Sequence, residues 1–421
     1  MKSWAKAAIL AFGFATGTVA QAQTAPQAVV SSAQQRIAQA QAQIDKAPKR
    51  YQAYNQLSMA LARRARETSD VSFYSKAEAA LARSFELSPG NLEGQKVQTW
   101  ILLGKHEFAK AAELARQLNE QWPDDVLVYG YLVDANVELG NYTAAEEAAQ
   151  WMLDIRPGNV PGLTRASYLR ELFGDVDGSI ELMEMAYRQT PPNELEDRAW
   201  ILTQIAHLRL STGDVKRADE ILQQALALFP NYHYALANLA KVRAAQGRFA
   251  DAADLLRQRY QNAAHAENAF DLAVVLTRAG KTDEGKALFA EFEAKAKKET
   301  TAADNANREL IFYYADYANR PDDALRIAAQ EFERRKDVYT LDAYGWALAM
   351  NGRNDEGRDQ LQKALAVGLR DAQLLYHAGI IADRSGDTAT AAKLLRQSLE
   401  VNPVSEHAGA ARAALERLPK S

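Results

Sequence analysis

A unit of 34 residues recurs along most of this chain and constrains its fold more than any other feature. Residues 126–159 contain two amphipathic helical segments, which are joined by Gly140-Asn141-Tyr142 and end at Pro157. The same pattern returns 34 residues later, around Gly174 and Pro191. A unit with this period is typically a helical hairpin that cannot bury its apolar face alone and must stack on copies of itself. The repeat therefore predicts an all-α solenoid.

Two marks define the repeat: a residue in the turn between the helices and a small residue five positions later. The turn residues are Gly140, Gly174, Gly213, Gly247, Gly280, Asn319, Gly352 and Gly386. They are 33 or 34 residues apart except for two steps of 39, which indicate short insertions at residues 191–194 and around residues 297–303. The small residues are Ala145, Ser179, Ala218, Ala252, Gly285, Ala324, Gly357 and Ala391. Small side chains at this position let the two helices of a hairpin approach closely.

At these positions the chain resembles the tetratricopeptide repeat (TPR) family, whose unit has a small residue at about position 8, a turn near the middle and a Pro near the end. The small position is matched by Ser167, Ala206, Ala240, Ala273, Gly345 and Gly379, and the end by Pro123, Pro157, Pro191, Pro230 and Pro403. The resemblance implies a right-handed superhelical solenoid of about ten tandem helix-turn-helix units over residues 49–403. Residues 23–48 are expected to form a lead and an N-terminal helix, and residues 404–421 a C-terminal capping helix and tail.

Some repeats depart from this pattern. The first carries about seven extra residues around residues 66–72. In the second, Gly104 comes two residues before the expected turn position, and in a later unit Asn319-Arg320-Pro321 replaces the Gly turn.

Residues 1–22 have the pattern of a secretory signal peptide. Lys2 and Lys6 precede a short apolar run, and Ala20-Gln21-Ala22 forms an A-x-A cleavage site. The run is too short for a stable membrane anchor. We expect cleavage after Ala22 and a periplasmic location without a transmembrane segment, with release outside the cell as the second choice.

Composition excludes several classes of function. The formal net charge is −4 and the chain has no cysteine, so disulfides, thiolate metal sites and a cysteine nucleophile are ruled out. A protein without a clustered excess of Lys and Arg lacks the surface that binds nucleic acid phosphates. Nucleic acid is therefore not expected as a partner.

The sequence shows no recognisable catalytic, cofactor or metal site. The six histidines are scattered over different repeats, so a zinc site is not expected. Gly280-Lys281-Thr282 copies the end of a phosphate-binding loop, but Val275 stands where the first Gly of that motif belongs, and the segment falls in an ordinary repeat turn. Catalytic residues and cofactors are predicted to be none, while an enzyme with an unrecognised site between repeats stays open as an alternative.

The family resemblance places partner binding on the concave face, which is lined by the first helix of each hairpin at about positions 2, 5, 9 and 12. Tyr and Trp are favoured at binding surfaces because they bring area and a polar group at low entropic cost. The predicted partner-binding residues are Trp100, Tyr168, Trp200, His207, Tyr234, Lys241, Phe270, Tyr313, Trp346 and Tyr376. The alternative is that these side chains form core between repeats.

One further column, Arg170, Arg209 and Arg243, shares a position in three successive repeats. It either covers apolar surface with its long stems or forms a strip for an anionic ligand.

We predict a non-catalytic scaffold or adaptor that binds a protein or peptide partner in its concave groove in the periplasm. An envelope polysaccharide-handling or export module with aromatic glycan contacts is the alternative.

Overall fold

The computed structural model describes residues 31–302 and 304–419, and every regular element in these residues is a helix. The predicted signal segment, residues 1–22, lies outside the described residues. The helices are α1 (Ser32–Lys46), α2 (Tyr51–Thr68), α3 (Ser72–Leu87), α4 (Leu92–Gly104), α5 (Phe108–Gln121), α6 (Val126–Glu138), α7 (Tyr142–Ile155), α8 (Val160–Leu172), α9 (Val176–Gln189), α10 (Leu195–Ser211), α11 (Val215–Leu228), α12 (His233–Ala245), α13 (Phe249–Asn262), α14 (Ala266–Arg278), α15 (Thr282–Glu299), α16 (Asn307–Phe312), α17 (Pro321–Phe332), α18 (Val338–Met350), α19 (Asn354–Val367), α20 (Ala372–Arg384), α21 (Thr388–Val401) and α22 (Ala408–Arg417).

Helices α2 to α21 pack as successive hairpins, α2 with α3, α4 with α5 and so on to α20 with α21, and each hairpin packs on the next. Helix α16 continues into a short π-helix, Tyr313–Tyr317, before α17. Helix α1 packs on α2 at one end of the array, and α22 packs on α21 at the other. The prediction of an all-α superhelical solenoid is confirmed.

The turn residues have the backbone conformation that the repeat register predicts. All eight have positive φ, between 51° at Asn319 and 83° at Gly174. In the second repeat this conformation belongs to His106, with φ of 59°, whereas Gly104 is the last residue of α4. The repeat period of 34 is thereby kept between His106 and Gly140.

The column of small residues lies where the two helices of each hairpin touch. Ala145, Ser179 and Ala218 have no exposed surface. At Gly357 a β-carbon would lie 2.7 Å from the backbone oxygen of Gly345, the small residue of the facing helix. Larger side chains at these positions would force the helices apart, since interiors are close-packed.

The insertion near residue 191 lengthens α10 to 17 residues, compared with 13 in α8 and α12. The first turn of α10 and the residue before it carry three acids, Glu194, Glu196 and Asp197, which meet three arginines of α1 and α2. Arg36 Nη2 lies 2.5 Å from Glu194, Arg63 Nη2 lies 2.7 Å from Asp197, and Arg66 pairs with both Glu196 and Asp197. We call this group the N-terminal clasp, because it ties the start of the array to its middle.

Successive turns of the superhelix also touch each other along a second line of contacts. The backbone N–H of Lys336 donates to the backbone oxygen of Glu138 at 3.0 Å. The backbone N–H of Val338 donates to the Tyr142 hydroxyl at 2.9 Å. The Asn402 amide donates to the Leu210 oxygen at 2.9 Å, across 192 residues of sequence. We call this line of contacts the seam. It joins residues 138–142 to residues 335–338, residues 173–174 to residues 368–370, and residues 210–213 to residues 402–403. Because the turns touch, the concave face encloses cavities and is not an open groove along its length.

Candidate functional site

The inner face of the superhelix encloses two cavities, of about 600 Å³ and about 330 Å³. The larger one, called the first cavity, lies between α2, α4, α6 and α8 on one side and residues 265–267, Glu299, residues 304–306 and Arg335 on the other. Both volumes fall within the range of roughly 300–1,000 Å³ that is usual for ligand sites. The candidate site is therefore the interior of the superhelix.

Four aromatic rings line the first cavity, those of Tyr74, Trp100, Tyr168 and Tyr234. Burial is the largest cause that raises the pKa of Tyr74 to about 12 and that of Tyr234 above its usual value. These phenols therefore stay protonated near neutral pH and can donate a hydrogen bond to a bound group.

The three arginines that line the first cavity are already paired with acids. Arg165 makes two bonds to Asp134, from Nε to Oδ1 at 2.8 Å and from Nη2 to Oδ2 at 2.5 Å. Arg335 pairs with Glu138, and Arg66 is engaged in the N-terminal clasp. The fixed cations of this cavity are thus neutralised by the protein itself.

Two carboxylates of the first cavity lack such full compensation. Burial raises the pKa of Glu267 to about 7, although Arg259 Nη2 lies 3.3 Å away and lowers it. Burial, together with the nearby charge of Glu299, raises the pKa of Asp304 to about 6. His106 Nδ1 lies 3.7 Å from Asp304, but burial and two arginine charges lower the pKa of His106 to about 4, so its ring is neutral at pH 7. The cavity therefore favours positively charged groups.

The second cavity lies between α12, α14, the π-helix, the start of α20 and residues 402–407. Ala240, Ala244, Phe270 and Val274 give it an apolar wall. The polar groups that line it belong to Lys241, Asp316, Asp371, His377 and Ser405.

The most buried polar group of the second cavity is His377, whose side chain exposes 1% of its surface. Its Nδ1 lies 2.8 Å from Oδ1 of Asp342, and its ring stacks on Trp346 with centroids 4.1 Å apart. Burial opposes the charged ring, but the Asp342 carboxylate and its hydrogen bond outweigh it and raise the pKa of His377. This pair is held rigidly at the wall of the cavity.

The structure brings five of the ten predicted partner-binding residues to the two cavities. Trp100, Tyr168 and Tyr234 line the first cavity, and Lys241 and Phe270 line the second. The other five line neither cavity; they are Trp200, His207, Tyr313, Trp346 and Tyr376.

Trp346 differs most from its expected position. Only 6% of its surface is exposed, and its Nε1 donates to Asp316 at 2.9 Å. Trp200 and Tyr313 pack against the apolar core from partly buried positions. His207 Nε2 lies 3.0 Å from Glu171, and Tyr376 stacks on His407. Trp346 cannot meet a partner in this structure, because inter-repeat contacts already surround it.

The arginine column does not form a continuous strip. Arg243 is buried and pairs with Asp219, whereas Arg170 is half exposed and pairs with Asp175 at 3.1 Å. These two side chains thus bind acids of this chain, and the Nε of the third, Arg209, is buried without a hydrogen-bond partner, so the column is not a row of three free cations.

The interior contains functional candidates that the repeat pattern does not reveal, such as Tyr74, Arg165, Glu267, Asp304 and His377. None of them lies at a position for which the repeat pattern prefers a particular type of residue. The insertion at residues 297–303 was the signal nearest to Asp304, because a lengthened segment inside a regular array often carries contacts of its own. Within the described residues there is no group of three or more His, Asp or Glu side chains that could hold a metal ion.

Tetratricopeptide repeat family models match residues 100–160, 209–259 and 343–406. These matches fall on hairpins with the turn and small residues described above. This chain is a tetratricopeptide repeat protein. In the part of this TPR protein that the structure describes, no helix has the length and apolar character required to cross a membrane.

Over 200 residues the TPR protein is 26% identical to Cellulose synthase operon protein C of Xanthomonas axonopodis pv. citri (strain 306). The match takes in 46% of this chain and 13% of that protein, so this chain corresponds to a small part of its relative.

Two solved structures share the fold at 12% identity. Human IFIT1 in a dimer with PPP-AAAA has a TM-score of 0.50, covering 83% of this chain and 90% of that one. A monomeric IFIT1 mutant with Gppp-AAAA has a TM-score of 0.51, covering 87% and 90%. At this identity the likeness shows the fold alone.

Proposed function

We propose that this TPR protein is a non-catalytic scaffold or adaptor that binds an extended segment of a protein partner in its first cavity. The observation that carries the proposal is the lining of that cavity, where four aromatic rings and partly compensated carboxylates meet on the inner face of the array. TPR proteins generally bind protein partners, and aromatic side chains in a concave pocket are common anchors for binding.

The charges of the first cavity favour a segment that carries a basic side chain. Its arginines are paired within the protein, and Glu267 and Asp304 remain available on the opposite side from Trp100 and Tyr168. A Lys or Arg side chain is attracted both by carboxylates and by the faces of aromatic rings.

We propose the periplasm as the place where this binding occurs. The support is the pattern of residues 1–22, with two lysines, an apolar run and an A-x-A site. The mass of the exported protein tests it, because a chain that starts at Gln23 is expected and a chain that keeps Met1 in the envelope fraction would contradict it.

Photo-crosslinking tests the partner site. A photoreactive amino acid at Tyr168, inside the first cavity, should capture one partner in cells, whereas the same residue at Trp151, which is 55% exposed and does not line either cavity, should not.

A synthetic peptide of the captured segment should then bind the purified protein. Tyr168→Ala should weaken this binding by about thirtyfold, the effect of losing an anchor worth about 2 kcal/mol, and Trp151→Ala should leave it unchanged. Equal capture at both positions, or equal affinity of both variants, would reject the first cavity as the partner site.

A second candidate function, the handling or export of an envelope polysaccharide, is favoured by the match to Cellulose synthase operon protein C. The same aromatic rings that suit a peptide can stack on sugar rings. Binding of cello-oligosaccharides to the first cavity, lost in Tyr168→Ala, with no captured protein segment would favour this candidate over the first.

A further inference from the structure

The second cavity is separate from the proposed partner site and is lined by polar groups that make no hydrogen bond with the described residues. His377 uses Nδ1 to bind Asp342, and its Nε2 has no partner among the described residues. The Ser405 hydroxyl is buried and has no hydrogen-bond partner. Both residues line the cavity. An unsatisfied buried polar group destabilises a protein by about 1–3 kcal/mol, so such groups at a cavity wall can gain stability by bonding to a polar ligand.

Lys241 and two carboxylates add to this polar wall. Lys241 lines the cavity and makes no ion pair or side-chain hydrogen bond with the described residues. Asp316 Oδ1 accepts from Trp346 Nε1, and Asp371 Oδ1 accepts from the N–H of Leu374 at 2.8 Å. The second carboxylate oxygen of each Asp has no such partner. The wall thus offers both donors and acceptors.

This mixture restricts the chemistry of the ligand. An anion would satisfy Lys241 but would face the carboxylates of Asp316 and Asp371, and a cation would have the opposite conflict. A hydroxyl group both donates and accepts, so it can bond to the carboxylates, to Ser405 and to His377 Nε2 in either protonation state of the ring. A neutral ligand with several hydroxyl groups therefore fits all of these groups.

The apolar wall fits the same class of ligand. Phe270, Val274, Ala240 and Ala244 line the cavity together with the polar groups. A sugar ring has C–H faces that pack on apolar and aromatic side chains and hydroxyls around its edge. The volume of about 330 Å³ lies at the lower end of the roughly 300–1,000 Å³ found for ligand sites, which suits a short saccharide.

We propose that the second cavity is a binding site for a neutral sugar, of one or two rings, held by the polar side chains of His377, Ser405 and Lys241 and by the apolar side chains of α12 and α14. This site does not depend on the proposed peptide site, because the two cavities share no lining residue.

Saturation-transfer NMR and isothermal titration with cellobiose and maltose test the proposal on the full exported chain. At least one of the two disaccharides should bind with a stoichiometry of one. Ser405→Ala and Lys241→Ala should each weaken binding by about two- to tenfold, as expected for the loss of one hydrogen bond.

Matched controls are Ser385→Ala, which removes another buried and unpaired hydroxyl that does not line the cavity, and Lys286→Ala, on the exposed face of α15. Both should bind like the parent. Ser405 and Lys241 are chosen because neither side chain is part of the hydrophobic core, so the variants should fold.

Three results would overturn the proposal: no signal from either disaccharide, affinities unchanged in Ser405→Ala and Lys241→Ala, or binding of hexylamine or hexanoate instead of the sugars. None of them bears on the peptide site, which is tested through Tyr168.

Discussion

The turns at the seam and the turns away from it have the same backbone but different surroundings. At Gly140 and Gly174 a β-carbon would lie 2.7 Å from the Lys336 backbone oxygen and 2.6 Å from the Gly368 backbone oxygen. At four turn glycines away from the seam no atom would lie within 4 Å of an added β-carbon; these are Gly247, Gly280, Gly352 and Gly386. The same repeat residue therefore has a local role everywhere, and at the seam it also permits close contact between superhelical turns.

This difference shows that the array has interactions beyond nearest-neighbour stacking. A simple solenoid is stabilised by repeats and by the interfaces between adjacent repeats. Here the N-terminal clasp and the seam link residues 130 to 197 positions apart. These long-range contacts close the interior in which both proposed sites lie.

The largest effect is expected from breaking the N-terminal clasp. Arg66→Met would leave Glu196, which is 2% exposed, with the Tyr232 hydroxyl as its main partner. Removing one member of a buried ion pair typically destabilises by about 3–5 kcal/mol, and since Arg66 is 30% exposed we expect about 3 kcal/mol in urea unfolding.

Arg217→Met provides the matched control, because Arg217 pairs with Glu220 on the surface. Its loss should change stability by less than about 1 kcal/mol. Similar losses in the two variants would mean that the clasp adds nothing beyond an ordinary surface pair.

A smaller effect is expected from adding one methyl group at the turns. Gly352→Ala should destabilise by about 1–2 kcal/mol, because an L-residue at positive φ is strained. Gly140→Ala and Gly174→Ala carry the same strain and also push against Lys336 and Gly368, which adds about 1 kcal/mol, the lower end of the cost of overpacking.

Small-angle scattering should show a larger radius of gyration for Gly140→Ala and Gly174→Ala than for Gly352→Ala. Equal stability and equal size in all three variants would remove the distinction between the seam and the other turns.

The sequence predicts the local parts of this molecule and misses its long-range parts for a physical reason. The turn at Gly140 and the small residue Ala145 depend on neighbours within one repeat, so a single repeat predicts them. The seam depends on the small rotation between adjacent hairpins, added up over several repeats. No motif within one repeat predicts this total rotation. The candidate site was therefore predicted in part: Tyr168 reaches a cavity, whereas Trp346 is enclosed by Asp316 and His377 of other repeats.

The smallest effect on stability at neutral pH is expected from changing His233, which joins α12 to the clasp. In acid, the same change should have a clear effect. Its ring is 4% exposed, and its Nε2 lies 2.8 Å from the Arg66 backbone oxygen. Burial lowers the pKa of His233 to about 4; the bond to Arg66 raises it in part, and the charges of Arg259, His265 and Arg66 lower it further.

Between pH 6.5 and 4 the unfolded chain binds more protons at this residue than the folded protein does, so stability falls as the pH decreases through that window. We expect His233 to account for about 3 kcal/mol of the loss between pH 7 and pH 4. In His233→Gln the amide can still donate to the Arg66 backbone oxygen but cannot titrate.

Urea unfolding should show that this variant loses less stability than the parent between pH 7 and pH 4. Between pH 8 and pH 7 the stability of the two proteins should change by the same amount. If both lose the same amount in acid, the buried ring of His233 does not couple the clasp to pH, and the acid sensitivity of the protein must come from groups outside it.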